Sequence, residues 1–379
     1  MKHAESSEVP KIAAQSLGSL KVIRSIEKAP DAPAHWKTKQ RILFQIGPQQ
    51  KKESQIPSLP LRNFRIAGLE DNFYFSVLDW SSDNLIAIAA GSQIMIYNFT
   101  AAQHFELATM PSTVSSLKFA PDPQFIAVAT TSGELSIFLI QDQDSSRCVR
   151  TLPSSSGRIG ALSWKGNILS AGDDSGRISH YDVSLKEPLI NRVHAHEQEV
   201  VGLAWNSNGS LLASGSNDNV VKIWDDETAT KPLRVFNEHS GAVKAIAWSQ
   251  RDPNIIATAG GIVDRKILLW RAETGETIEK IETTSQVTTL IFSKFDNKLV
   301  ASHGYPDNCL SVYDLDSGEL MADLRSHSSR VLHTALSPDA LCVASAGGCS
   351  FCIWQIFETK KKEAKEGLGQ SLSRSLIKP

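Results

Sequence analysis

The 379-residue sequence contains no apolar run approaching the roughly 18 residues that a membrane span requires. Its opening stretch, Met1 to Lys11, is polar, unlike the apolar centre of a secretory signal. Excess charge is missing too: 39 Lys and Arg stand against 41 Asp and Glu, and no basic stripe gathers locally. That removes the electrostatic attraction on which nucleic-acid binding rests. Cysteine is sparse and odd in number, at Cys148, Cys309, Cys342, Cys349 and Cys352. Five scattered thiols without a signal suit a reducing compartment, so cytoplasm and nucleus are the expected location. There is no phosphate-cradling glycine loop, no metal triad, and no paired carboxylates outside the repeating pattern described next. The expectation is a non-enzyme with neither cofactor nor metal.

What is present is a repeat. Short apolar runs ending in an aromatic residue recur at Tyr97, Phe138, Tyr181, Trp224, Trp270, Tyr313 and Trp354, with spacings of 41, 43, 43, 46, 43 and 41. Each follows a second apolar run such as "LLASGS" or "IIATAG", and before that a third such as "VVGLAW" or "AVKAIAW". Strands of four to eight residues between Gly, Asn, Asp and Ser turns fit one four-stranded blade per repeat. The period is that of WD-repeat propellers, and seven repeats give an all-β, seven-bladed ring.

Polar residues recur at the same period. His196, Ser214, Asp218 and Trp224 fall where such a blade carries a hydrogen-bonded tetrad, and His239, Thr258, Asp264 and Trp270 repeat it. A buried His and Asp each need a partner, which these sets supply internally. A hydrolase triad is the competing reading, but no nucleophile elbow accompanies the set and it recurs with the blades.

Residues 1–56 and 359–379 are polar and read as flexible arms flanking a propeller over 57–358. "IPSLPLRNFRI" is expected to pair with the last blade, because that repeat lacks an outer partner of its own. Closure of this kind removes open sheet edges. Cys349 and Cys352 in "SAGGCSFCIW" have Cys-x-x-Cys spacing, but no second pair or nearby histidines complete a zinc set.

Several words go beyond the repeat. "SVLDWSS", "GRIGALSWKGNILSAGDDSGRISHYDV", "HEQEVVGLAW", "GIVDRKILLW", "SQVTTLIFS", "SHGYPDNCLSVYDL" and "HSSRVLHTALSPD" occur in order. With them, about residues 20 to 377 resemble the Fizzy/Fizzy-related family of anaphase-promoting complex activators, closer to the Fizzy branch and divergent. The resemblance implies a non-catalytic adaptor that binds degrons of cell-cycle substrates while ligase subunits supply the chemistry. It also implies that Lys21, Val22, Ile23 and Arg24 dock a spindle-checkpoint protein.

The resemblance places a Lys-Glu-Asn degron site at Asn217, Asn219, Gln286 and Arg330. Amides would pair with the degron's Asn, and Arg330 with its Glu. Asn217 and Asn219 also suit a turn on their own account. A family threonine in this pocket is Ile262 here. For the second degron, the destruction box, family acids between the first and last blades receive an Arg. Their positions here are Arg65, Cys349 and Ser350, with Glu70 or Asp71 as candidate substitutes. Cys349 then stands where the last blade's turn Asp belongs, which makes the Cys-x-x-Cys a substituted acidic site.

Two ligase-docking features also differ. No Asp-Arg-Tyr/Phe-Ile-Pro word occurs, and the family's terminal Ile-Arg corresponds to Ile377 and Lys378, followed by Pro379. The expected function is therefore an activator with altered substrate choice, or a diverged or N-terminally shortened form. The alternative is a non-activating regulatory protein, a decoy or scaffold on the same architecture.

Overall fold

The computed structural model describes residues 56–141, 147–154 and 157–358. Seven four-stranded antiparallel sheets cover residues 78–109, 114–152, 159–194, 200–236, 243–282, 287–324 and 333–355. The last of them takes its fourth strand from Arg62–Arg65. The chain is thus a seven-bladed propeller, as its period implies. No helix occurs among the described residues.

Sequence pattern sets each strand's depth. In the fifth blade the second strand, Ile255–Gly260, is an unbroken small-and-apolar run and is buried almost throughout. It has blades packed on both faces, so alternation would serve nothing. The outermost strand, Glu276–Glu282, is exposed except at Ile281. The first strand opens on a register shift at the same place in five blades, between Val114/Ser116, Ile159/Ala161, Val200/Gly202, Val243/Ala245 and Val287/Thr289. Such a bulge twists the strand locally and re-aims its first side chains.

The core lies between blades. Ile267, Leu269 and Ala257 of the fifth blade pack with Val287, Leu290 and Leu299 of the sixth. A fully buried Ile such as Ile267 contributes roughly 1.5–3 kcal/mol over an exposed one. Close approach of the blades is built on glycine: a Cβ on Gly215 would sit 2.3 Å from the Val243 carbonyl oxygen of the next blade. Alanine there would force the two blades apart.

Closure follows the expected route. Arg62–Arg65 pairs antiparallel with Ser350–Gln355, placing Arg62 opposite Ile353 and Arg65 opposite Ser350. Phe64 stacks on Phe351 with centroids 5.8 Å apart and meets Tyr97 of the first blade edge-on at 5.2 Å. The first and last blades share a core of Leu78, Trp80, Ile86, Ala344 and Ile353.

Both expected tetrads are formed. His196 lies 3.0 Å from Asp218 through Nδ1 and 2.8 Å from Ser214 through Nε2, and Trp224 Nε1 donates to Ser214 at 2.9 Å. His239, Asp264, Thr258 and Trp270 repeat this with 2.7, 2.8 and 2.8 Å. Burial alone would raise the Asp218 carboxyl, but bonds from His196 and from the Val220 and Glu197 amides outweigh it and hold it at about 2. These side chains satisfy one another within the blades, as structural residues do.

A third tetrad sits in the last blade, with a serine for the acid. His327 Nδ1 is 2.5 Å from Ser350 Oγ and its Nε2 2.7 Å from Ser345 Oγ, which also accepts from Trp354 at 2.9 Å. The Ser350 hydroxyl donates to the Gly347 carbonyl at 3.1 Å, so every group is satisfied. This corrects the expectation that Cys349 fills the turn Asp position: Ser350 does. The turn of this blade is one residue shorter than in the fourth, which draws the next side chain into place.

A pH effect follows. Burial pushes His180 and His327 down to about 4 from the usual 6.5. Between those values the unfolded chain binds more protons, so stability is fully present above about 6.5 and lost as pH falls toward 4. Each histidine contributes up to about 3 kcal/mol, at roughly 1.36 kcal/mol per pH unit. Thermal melts at pH 7 and pH 4.5 are expected to show a clear fall in Tm at the lower pH. An unchanged Tm would contradict the assignment.

Candidate functional site

One end of the ring carries the turns between second and third strands and the loops that enter each inner strand. All four Lys-Glu-Asn positions lie in these loops. Asn217 and Asn219 belong to the turn before Val221–Trp224, Gln286 precedes Val287–Phe292, and Arg330 precedes the inner strand of the last blade. Asn219 has φ +70°, a left-handed conformation that Asn adopts more readily than most residues, so it shapes the turn. Asn217 is half-buried, accepts from the Tyr74 hydroxyl at 3.2 Å and donates to Gln198 at 2.8 Å.

Gln286 is only 5% exposed, and its Nε2 has no hydrogen-bond partner among the described residues. It is held tightly: a Cβ on Gly304 would fall 2.5 Å from Gln286 Cγ. A buried amide donor without an acceptor costs roughly 1–3 kcal/mol, a cost that a ligand carbonyl in the right place removes. Arg330 is bonded already: its Nε lies 2.9 Å from Asp71 Oδ1, and its Nη2 donates to the Asp71 carbonyl at 2.8 Å. Asp71 is therefore paired with Arg330 in the unliganded molecule rather than standing as a substitute acid for the second degron.

The residues that join this face come from a segment the sequence reading did not single out. Phe73, Tyr74 and Phe75 cross the end of the ring ahead of the first blade. The Arg158 guanidinium lies over Tyr74 at 5.5 Å, Tyr74 reaches Asn217, and Phe73 comes within contact range of a Cβ built on Gly261. Lys244, wholly buried, donates to the Phe75 carbonyl at 2.6 Å and to the Leu332 carbonyl at 3.1 Å, with its ammonium 5.6 Å from the Phe73 ring. Burial, with Arg330 nearby, pushes Lys244 down to about 7. A cavity of about 780 Å³ lies along the inner strands, with Lys244, Thr288, Thr289 and Thr334 in its wall. The one advance sign of this arrangement was a lone charge inside the apolar run "AVKAIAW".

The second-degron positions are arranged differently from expectation. Alternation along the closing strand turns Phe64 toward the first blade, and Asn63 the other way, onto Ser326 at 3.2 Å. Arg65 shares the face of Asn63, toward the sixth blade, so it does not enter the cleft between first and last blades. The cation in that cleft is Arg62, hydrogen-bonded to the Tyr97 hydroxyl and 4.8 Å from the Phe99 ring centre. Cys349 is exposed, while Cys352 is fully buried with its sulfur 3.8 Å from Ser326 Oγ. The two thiols occupy different environments and do not form a shared site. Ile262 is 61% exposed, presenting an apolar side chain on this end of the ring. Lys21 to Arg24, Ile377 and Lys378 lie outside the described residues.

This face is set on a propeller whose sequence matches, over residues 65–354, the family model described as the CDC20/Fizzy WD40 domain. The chain belongs to this family. It is 36% identical to the Dictyostelium discoideum "Anaphase-promoting complex subunit cdc20", with 86% of this chain and 67% of that protein covered. Identity to the Arabidopsis thaliana "Cell division cycle 20.1, cofactor of APC complex" is 37%, over 85% of this chain and 73% of that one. The Saccharomyces cerevisiae "APC/C activator protein CDH1" is 35% identical, over 83% of this chain and 55% of its own length. Among solved structures, a chain from "Crystal Structure of Mitotic Checkpoint Complex" matches with a TM-score of 0.77 and 34% identity, covering 85% of this chain and all of that one. Both Fizzy and Fizzy-related relatives are therefore represented.

Proposed function

We propose that this chain is a substrate-recruiting activator of the anaphase-promoting complex, and that its loop face binds Lys-Glu-Asn degrons of cell-cycle proteins. The observation that carries the site is the buried, unpaired amide of Gln286, on the same face as Asn217 and Arg330. Its acceptor would be the degron's Asn, while Arg330 would take the Glu. The role is non-catalytic: the His196–Asp218 and His239–Asp264 pairs are consumed in blade tetrads, and the relatives carry the names of activators, cofactors and subunits. The chain would act in cytoplasm and nucleus, and Lys21–Arg24 would add a β-strand to a checkpoint protein through main-chain hydrogen bonds.

Affinity purification of the tagged chain from dividing cells tests the role. Ligase subunits are expected to co-purify together with Lys-Glu-Asn substrates. Recovery of substrates or a checkpoint protein without ligase would contradict activation and identify a decoy.

A further inference from the structure

Arg330, the proposed acceptor of the degron's acid, is not empty-handed in the unliganded molecule. Asp71 engages it with both its carboxylate and its main-chain carbonyl, and the ion pair is 2.8 Å at its shortest. Three features make this contact exchangeable. The Asp71 side chain is 61% exposed and that of Arg330 is 29% exposed, so neither is locked by packing. Asp71 also sits in an unpaired stretch between the closing strand and the first blade. Finally, the residues just after it are pinned independently: Tyr74 N donates to Asn72 Oδ1 at 3.0 Å, the Tyr74 hydroxyl to Asn217, and Lys244 to the Phe75 carbonyl. Asp71 can leave Arg330 without unseating the crossing segment.

We propose that Asp71 is an internal stand-in for the degron's glutamate, which must displace it from Arg330 to bind. The proposal rests on the Lys-Glu-Asn reading of the face and assigns a residue to it that the sequence did not. Its consequence is selectivity. Exchange of one carboxylate for another on the same guanidinium contributes little net affinity, yet leaves peptides without an acid unable to use Arg330. A partly exposed Arg–carboxylate pair is modest in strength, so releasing the competitor strengthens binding by about three- to tenfold.

The test is a titration of fluorescent Lys-Glu-Asn and Lys-Gln-Asn peptides against the full chain, its Asp71→Asn variant, and Asp71→Asn combined with Arg330→Gln. Thermal melts check that each folds. Asp71→Asn is expected to tighten the Lys-Glu-Asn peptide three- to tenfold, leave the Lys-Gln-Asn peptide unchanged, and lose its effect when Arg330 is also replaced. With measurable binding by the natural chain, weaker or unchanged binding by Asp71→Asn overturns the proposal alone. So does equal tightening of both peptides. Absence of binding to every protein overturns the reading of the face, and this proposal with it.

Discussion

Replacing Gln286 by Leu together with Arg330 by Ala is expected to weaken binding of a Lys-Glu-Asn peptide by about thirty- to a hundredfold. The two changes act through different physics. Gln286 holds a buried donor with no partner among the described residues, so on the proposed reading its hydrogen bond would be made only in the complex. Removing that donor loses the bond on binding but relieves the free protein of an unsatisfied group. Gln286→Leu alone is therefore expected to leave Tm unchanged or raised while weakening the peptide about tenfold or more. A merely structural glutamine would show the opposite, a fall in Tm. Arg330→Ala removes a charge-assisted partner but also the need to displace Asp71, so its own effect is smaller, about three- to tenfold. Because the two residues belong to one small face, their effects need not add, and the double variant measures the coupling. Fluorescence polarisation of a labelled peptide, with thermal melts alongside, reads both quantities.

Destruction-box peptides are expected to bind about ten- to a hundredfold more weakly than Lys-Glu-Asn peptides. The ligand's Arg would approach Arg62 in the cleft between first and last blades, with the exposed Cys349 beside the closing strand. Where the resemblance implies carboxylates, this chain presents a cation and a thiol. A rim ion pair is worth roughly 0.2–1 kcal/mol and a partly desolvated one about 2 kcal/mol, so two missing contacts account for that ratio. Arg62→Asp with Cys349→Glu is expected to recover tenfold or more. Ser350 is left alone because its hydroxyl is committed to His327. Equal affinity for the two peptide classes in the natural chain, with no gain in the double variant, would contradict this account.

The ring was legible because recurrence carries its own check. Seven aromatic strand ends at a steady period, with a His–Asp tetrad repeated in two neighbouring blades, leave little room for another architecture. The closing strand was legible for a related reason: the last repeat lacked a partner that "LRNFR" supplies. Individual positions were less secure where counting replaces geometry. Offsets from Ser345 put Cys349 at the acid position, but the shorter turn seats Ser350 there. Arg65 was assigned to the cleft from its place in a word. Which side of a strand a residue takes depends on pairing register, however, and a shift of one residue exchanges Arg65 for Phe64. The crossing segment from Phe73 to Phe75 was missed, and Asp71 assigned to the other degron, because this stretch has neither strand period nor repeat. Its role is set by Lys244, Asn217 and Arg330, which lie more than a hundred residues away in the chain.

The claim that the loop face recruits Lys-Glu-Asn proteins to the ligase is tested most directly by reconstituted ubiquitination. Purified anaphase-promoting complex would be given the chain and a substrate whose only degron is Lys-Glu-Asn. The account predicts that the chain raises ubiquitin transfer to this substrate. It predicts no rise when the motif is changed to alanines, or when Gln286→Leu and Arg330→Ala are present in the chain. Stimulation indifferent to the motif, or none at all with the intact motif, would contradict it.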